Sequence, residues 1–165
     1  MKAISNTVVH TAEKKPIKIL LRDSEDLPIP KLDSTGQPSM TVQGNQLVPQ
    51  YELGDAKASD LIRVLVFNIP REHQKSSDRE PSYVVVSKLM ADGSDQEIQL
   101  PDKAYQWLRE LTERPIKQPP TTPEDKESRH LPFVVHLWGP SSGMAVQLAL
   151  MTSDDRAVAL DKMAG

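Results

Sequence analysis

The most apolar part of the chain is residues 131–151, which read LPFVVHLWGPSSGMAVQLALM. A Gly-Pro-Ser-Ser-Gly cluster at 139–143 separates two apolar runs and predicts a turn between them. In the first run, 133–138, both faces of an extended backbone are largely apolar, which predicts an interior strand. We predict that 144–151 is a second strand paired with the first, although its Ala, Leu and Met content also fits a helix.

Two further segments have the composition of longer strands. Residues 61–69 are rich in β-branched side chains, end before Pro70 and are predicted as a second interior strand. Residues 83–90 have similar β character, and we expect them to pair with 61–69 in a long hairpin.

Shorter strands are predicted nearer the N-terminus and before the clearest helix. Residues 17–22 alternate well enough for a first strand, and 96–100 fit a short edge strand. Residues 40–48 predict a hairpin that turns at Gly44-Asn45, where glycine takes positive φ.

The segment 101–113 has the helical spacing of apolar residues. Pro101 suits the first helical position, and one face carries Ala104, Trp107, Leu108 and Leu111. That face must cover a sheet, so we interpret Trp107 as a core residue, with Glu110 and Arg114 paired on the outside. Residues 153–163 fit a short C-terminal helix, with a returning strand over 156–161 as the alternative.

These elements predict an α+β, β-rich fold, mainly an antiparallel sheet or sandwich with a covering helix. We divide the chain into a polar N-terminal arm, 1–15, and a single domain, 16–165. Its 165 residues suffice for one core. The 14 prolines indicate long polar loops, which we place at 23–39, 71–81 and 115–130.

Charge and composition exclude several classes of function. The formal net charge of −3 gives no broad attraction to nucleic acid or to anionic lipid, and few aromatic residues are available for base stacking. The absence of cysteine excludes disulfides, thiolate nucleophiles and thiolate metal sites. No run approaches a transmembrane span or a signal-peptide core, so we expect a soluble intracellular protein.

The cluster at 139–143 also matches G-x-S-x-G, the nucleophile elbow of serine hydrolases, in which a strand turns into a helix. If 144–151 were helical, Ser141 would stand at the tip of that turn. Yet no histidine follows Ser141, whereas hydrolases of this fold order their triad as serine, acid and histidine. His136 lies in the adjoining predicted strand and should point away. We therefore keep Ser141 only as an alternative catalytic residue.

Metal and cofactor sites are not predicted. The four histidines lie in separate segments, and His130 and His136 would be roughly 20 Å apart on a strand. We interpret His136 as a hydrogen-bonded core residue. No phosphate-binding glycine motif occurs. The PxxP spacing of Pro120 and Pro123 is interpreted as part of a solvated loop rather than as a peptide ligand.

Two functional hypotheses follow. The first is a non-catalytic protein–protein interaction or structural subunit of a larger, homo-oligomeric, viral or phage assembly, because a β core with long loops lacks chemical constellations. Its partner would be another protein or a second copy of the chain, and the edges at 17–22 and 40–48 could accept a strand. The alternative is a small serine hydrolase that uses Ser141.

Overall fold

The computed structural model describes residues 1–25, 27–92, 96–120, 122–123 and 129–164. It contains helices and short strands in an α+β arrangement, as predicted. The helices are α1 Ala58–Phe67, α2 Arg79–Asp92, α3 Asp102–Glu113, α4 Phe133–Ala149 and α5 Ser153–Ala164. Two short 3-10 helices, Arg71–His73 and Ser76–Asp78, precede α2.

The strands pair two by two in antiparallel sheets throughout the described residues. They are β1 Lys2–Ser5, β2 Lys18–Leu20, β3 Met40–Gln43, β4 Gln46–Pro49, β5 Leu53–Asp55, β6 Glu97–Leu100, β7 Pro115–Gln118 and β8 Arg129–Pro132. The pairs are β1 with β6, β2 with β5, β3 with β4, and β7 with β8. Helices therefore supply most of the core, where we had expected an extended sheet or sandwich.

The hydrophobic core lies between the first four helices and the β1–β6 pair. Its fully buried side chains include Ile4, Leu61, Leu65, Leu89, Ile98, Leu108, Leu111 and Phe133. Residues 1–15, predicted as a polar arm, contribute Ile4 and Val9 to this core. Because Ile4 pairs with Ile98 across the sheet, the N-terminus is fixed to the strand that precedes α3.

Several predicted elements are confirmed. The helix predicted at 101–113 is α3, and the short strands predicted at 17–22 and 96–100 are β2 and β6. The C-terminal segment is helical, as α5, which settles the alternative over 156–161. The hairpin predicted at 40–48 is β3–β4, and Gly44 adopts φ +65° at its turn.

The strands predicted at 61–69 and 83–90 are wrong, because both segments are helical. In α1 the buried residues Ala58, Leu61, Ile62 and Leu65 follow a 3.6-residue period, and the Asp60 carboxylate accepts the Lys57 N–H at 2.9 Å. Valine and isoleucine lower helix stability by only about 0.5 kcal/mol each. Burial of one helical face therefore outweighs the β propensity of these segments.

The strands predicted at 133–138 and 144–151 are also wrong. Residues 133–149 form two helical segments of α4 that meet at Gly139, where the backbone is non-helical with φ 83° and ψ 174°. A run that is apolar on both faces also fits a buried helix, and periodicity does not distinguish the two. The break predicted at 139–143 is present, but it joins helix to helix.

Two of the three predicted loops, 71–81 and 115–130, contain regular secondary structure. Residues 71–81 contain both 3-10 helices and the start of α2. The loop at 115–130 begins as β7 and ends as β8, and Ile116 is buried. Its central residues, 121 and 124–128, lie outside the described part of the chain, as does part of the PxxP segment.

A buried ion pair joins the 3-10 helices to the end of α3. The Arg114 side chain is 4% exposed and donates two hydrogen bonds to the Asp78 carboxylate, at 2.7 and 2.8 Å. It also donates two to Glu110, at 2.8 and 3.0 Å, so the predicted pair is present, with Glu110 exposed and Arg114 buried. The Trp107 indole N–H donates to Asp78 at 2.9 Å. The Arg114 guanidinium holds the pKa of Asp78 far below its ordinary value.

Candidate functional site

The segment Lys18–Asp55 projects from the core, and we call it the β-arm. It contains β2, β3, β4 and β5 together with isolated bridges such as Pro30 with Tyr51. None of its described residues is buried, whereas the flanking residues Ile17 and Ala56 both are. The β-arm is therefore ordered without a hydrophobic core of its own.

Backbone hydrogen bonds replace the missing core through three junctions. At each junction three chain segments meet, and each N–H donates to the C=O of the next segment, which closes a ring. The rings are formed by Val9, Ile17 and Ala56; by Leu21, Ile29 and Glu52; and by Lys31, Ser39 and Gln50, with N···O distances of 2.7–3.0 Å. The residues of the first ring are buried. In the two outer rings the bonds satisfy the backbone groups of a segment that buries no side chain.

Three similar turns connect the segments that meet at the junctions. The Asp23 carboxylate accepts the N–H groups of Glu25 and Leu27, and the Asp33 carboxylate accepts those of Thr35 and Gln37. Thr11 takes the same position in the first turn, where its hydroxyl accepts the Lys15 N–H at 3.4 Å. Hydrogen bonds from Thr35 lower the pKa of Asp33. These side chains form Asx-type turns and have a structural role.

Sequence analysis missed this repeat, although a signal for it exists. The strings Asp-Ser-x-x-x-Pro begin at Asp23 and again at Asp33, ten residues later. Pro28 and Pro38 then occupy matching positions, since each bridges to the residue that precedes the aspartate of its turn. An internal comparison of the predicted loop 23–39 would have indicated a repeated turn.

The β3–β4 hairpin at the end of the β-arm is strongly amphipathic. Met40 lies opposite Pro49 and Val42 opposite Leu47, so these four apolar side chains share one face. All four are exposed, and both Val42 and Leu47 retain 69% of their accessible surface. The other face carries Thr41, Gln43, Gln46 and Val48. We call the first set the apolar hairpin face.

The rest of the β-arm is also unusually apolar for an exposed segment. Of the eighteen large apolar side chains that are exposed among the described residues, nine lie in the β-arm. They are Leu20, Leu21, Leu27, Leu32, Met40, Val42, Leu47, Tyr51 and Leu53. Such a concentration typically marks an interaction surface, and an isolated two-stranded ribbon is marginally stable in water. The β-arm is therefore the candidate interaction site.

Ser141 lies elsewhere, in the first turn of the second helical segment of α4. It lines an open cavity of about 340 Å³ together with His10, Met144 and Leu148. The helix after Gly143 satisfies one condition of the hydrolase alternative. The other condition, a strand before the turn, is not met because 133–138 is helical.

Both glycines of the G-x-S-x-G string have a structural role. Gly139 adopts a backbone conformation that is essentially restricted to glycine. Gly143 is buried, and a Cβ built there would lie 2.8 Å from the carbonyl oxygen of Val134. The string is thus explained by the reversal of α4 without catalysis.

The histidines do not form a triad with Ser141 among the residues described. His136 is exposed, not in the core as we had predicted, and its Nδ1 contacts the Gln118 side chain at 2.8 Å. His73 Nε2 accepts the Lys117 N–H at 3.2 Å. His130 is exposed in β8, and His10 shares the cavity of Ser141. No hydrogen bond from His10 to a carboxylate is found within residues 1–25, 27–92, 96–120 and 129–164.

The described part of the chain shows neither a metal-binding cluster nor a membrane-spanning helix. Where the chain is described, no group of three or more His, Asp or Glu side chains could hold a metal ion. No described helix is both long and apolar enough to cross a bilayer. Comparisons with protein-family models, with curated proteins and with solved structures found no match.

Proposed function

We propose that this protein is a non-catalytic protein–protein interaction subunit of a larger assembly, such as a viral or phage particle, and that the β-arm is its docking element. The helical core anchors the β-arm through Ile17 and Ala56, which are buried on either side of it. The docking surface begins where those anchors end.

The apolar hairpin face is the observation that carries this proposal. Its side chains occupy only one side of the hairpin, which is the pattern of a strand pair that covers an apolar surface. Here no described element covers it, since all four of its side chains are exposed. Burying an apolar side chain contributes about 1.5–3 kcal/mol, so docking of the four would stabilise both the complex and the β-arm.

Photo-crosslinking tests this proposal. We expect the yield of crosslinked adduct to depend on which face of the hairpin carries the photoreactive residue. A benzophenone amino acid would replace Val42 in one full-length variant and Gln43 in the other. These neighbours point to opposite faces of the same strand. Irradiation in an extract of the producing cells should give protein adducts in several-fold higher yield from position 42.

Competition and fold controls complete this test. Excess unmodified protein should suppress the position-42 adduct, and a competitor with Val42→Thr and Leu47→Thr should not. Circular dichroism should be the same for both benzophenone variants. Equal yields from the two positions, or no adduct from position 42, would contradict docking by this face.

A serine hydrolase remains the second candidate function, and the observation that favours it is the shared cavity of Ser141 and His10. A serine nucleophile requires a base within hydrogen-bond reach, and His10 of the N-terminal segment lines the same cavity.

Labelling with a fluorophosphonate probe distinguishes this candidate from the interaction subunit. We expect no covalent labelling of the wild-type protein, and the same result for Ser141→Ala and His10→Ala. Mass spectrometry of the intact protein is the readout. Stoichiometric labelling that is lost in Ser141→Ala and in His10→Ala would instead establish the hydrolase.

A further inference from the structure

We infer that the apolar hairpin face docks against the same face of a second copy of this chain, so that two hairpins pack as a small two-layered β structure. This inference rests on the proposed function and names its partner. The contact is isologous, because Met40, Val42, Leu47 and Pro49 meet the same four residues of the other copy.

Charge is the first observation that favours a second copy. No charged residue occurs between Asp33 and Glu52, so the whole hairpin is neutral. Two copies of a surface that carries charge of one sign repel each other, whereas a neutral surface meets itself without that repulsion. A neutral apolar face likewise offers no ion pair to a strongly charged partner.

The geometry of the hairpin also suits a face-to-face contact. Two-stranded ribbons pack through their apolar faces at a separation of about 10 Å, with polar side chains outside. Gln43 and Gln46 lie directly opposite each other on the outer face, where they stay in water. Gly44 forms the turn with positive φ and has no side chain that would obstruct the approach of a second hairpin.

The small area of the contact limits the affinity of the dimer. Four partly exposed side chains supply on the order of 300 Å² per copy, whereas a standard stable interface uses about 800 Å² per partner. The apolar hairpin face alone therefore gives a weak, rapidly exchanging dimer. Its population should depend strongly on protein concentration.

A groove between α4 and α5 is an alternative binding site for the hairpin of another copy. It is lined by Met144, Leu148, Met151, Val158 and Met163, with a cavity of about 370 Å³. However, its lining also includes Arg109, Glu113, Asp155 and Lys162, so this groove is a charged surface, unlike the neutral apolar hairpin face. Two copies that insert their hairpins into each other's groove would form a reciprocal dimer, and one-way insertion would form rings or open chains.

Sedimentation velocity of the full chain over a wide concentration range tests the inference. Wild-type protein should shift from one chain toward two as concentration rises. Val42→Thr with Leu47→Thr places threonine, which favours strands, at both positions of a cross-strand pair. This variant should remain monomeric at the same concentrations. The matched control, Gln43→Thr with Gln46→Thr on the polar face, should behave as wild type.

Disulfide trapping gives an independent readout, because the chain contains no cysteine of its own. Val42→Cys should form a covalent dimer under mild oxidation several times faster than Gln43→Cys. Wild-type protein that stays monomeric, or a dimer that survives Val42→Thr with Leu47→Thr, would overturn the inference. Association into two or more chains that Val158→Thr abolishes would overturn it in favour of the groove.

The two proposals fail in different ways. A purified protein that is monomeric but gives a position-42 photo-adduct with another protein overturns the second-copy inference and leaves the docking role intact. A purified protein that gives no adduct from position 42, alone or in an extract, overturns both.

Discussion

Replacing Arg114 by methionine is expected to lower the free energy of unfolding by about 3–5 kcal/mol, because it leaves the buried Asp78 carboxylate without its cation. Asp78 is 9% exposed, and Arg114 supplies two of its hydrogen bonds. Urea denaturation followed by circular dichroism measures the change. A loss below about 1 kcal/mol, typical of an exposed ion pair, would contradict the buried role of Arg114.

Two variants separate the buried charge from simple loss of packing. Arg114→Met combined with Asp78→Leu removes both charges and should recover part of the lost stability. Lys75→Gln removes a cation that is 56% exposed and bonded to Glu110 at 3.3 Å, and should change stability by less than about 1 kcal/mol. A double variant that is less stable than Arg114→Met alone would show that Asp78 does not depend on Arg114.

The same ion pair fixes the direction of a pH effect. Because the pKa of Asp78 is lower in the folded protein than in the unfolded chain, its stabilisation is complete above about pH 4. It is lost as pH falls below that value toward the depressed pKa. Arg114→Met removes the main cause of the low pKa, so its unfolding free energy should fall less steeply than that of wild type below pH 4.

Substituting Gly143 by alanine should destabilise the protein by about 1–3 kcal/mol, the usual cost of overpacking a tight interior. The added Cβ would lie 2.8 Å from the Val134 carbonyl oxygen and 3.0 Å from the Val135 Cα. At an ordinary helical position the same change stabilises by about 1 kcal/mol. The sign of the effect therefore reports the close approach of the two segments of α4, and thermal unfolding measures it.

The reverse substitution, alanine to glycine, at an exposed helical position provides the control. Ala157 is an exposed residue of α5, and Ala157→Gly should cost about 1 kcal/mol through helix propensity alone. If Gly143→Ala raises the melting temperature, the two segments of α4 do not approach each other as closely as the backbone indicates.

The elements that the sequence predicted correctly are those set by local physical rules. The apolar stripe from Ala104 to Leu111 has a clear helical period, and α3 follows it. Gly44-Asn45 determines the turn of the β3–β4 hairpin, since glycine adopts the positive φ there. In both cases the residues that specify the structure lie within a few positions of one another.

The elements predicted wrongly depend on contacts distant in sequence. The segment 61–69 is rich in valine and isoleucine, and only its burial against α4 and the other helices selects a helix. Position 143 requires glycine because the backbone of Val134, on the other side of the Gly139 break, leaves no room for a Cβ. Arg114 was predicted to pair with Glu110 alone, because nothing in the local sequence points to Asp78, 36 residues earlier.

The candidate site was predicted only in part. The edge at 40–48 was recognised as one that could accept a partner, but the β-arm was read as loop over 23–39. Its order comes from backbone groups, which every residue possesses, so side-chain patterns carry little trace of it. The repeated Asp-Ser-x-x-x-Pro strings at Asp23 and Asp33 are the part of the sequence that records it.

The ring junctions also determine how far the hairpin reaches from the helices. The two outer rings rely on no buried side chain, but each also uses one residue of the returning segment, Glu52 or Gln50. A spacer unit therefore consists of one ten-residue turn segment together with its share of the returning segment. Adding or removing one unit would change the distance at which the hairpin is presented and leave the helical body unaltered. The number of such units therefore sets the distance between the hairpin and the helical core.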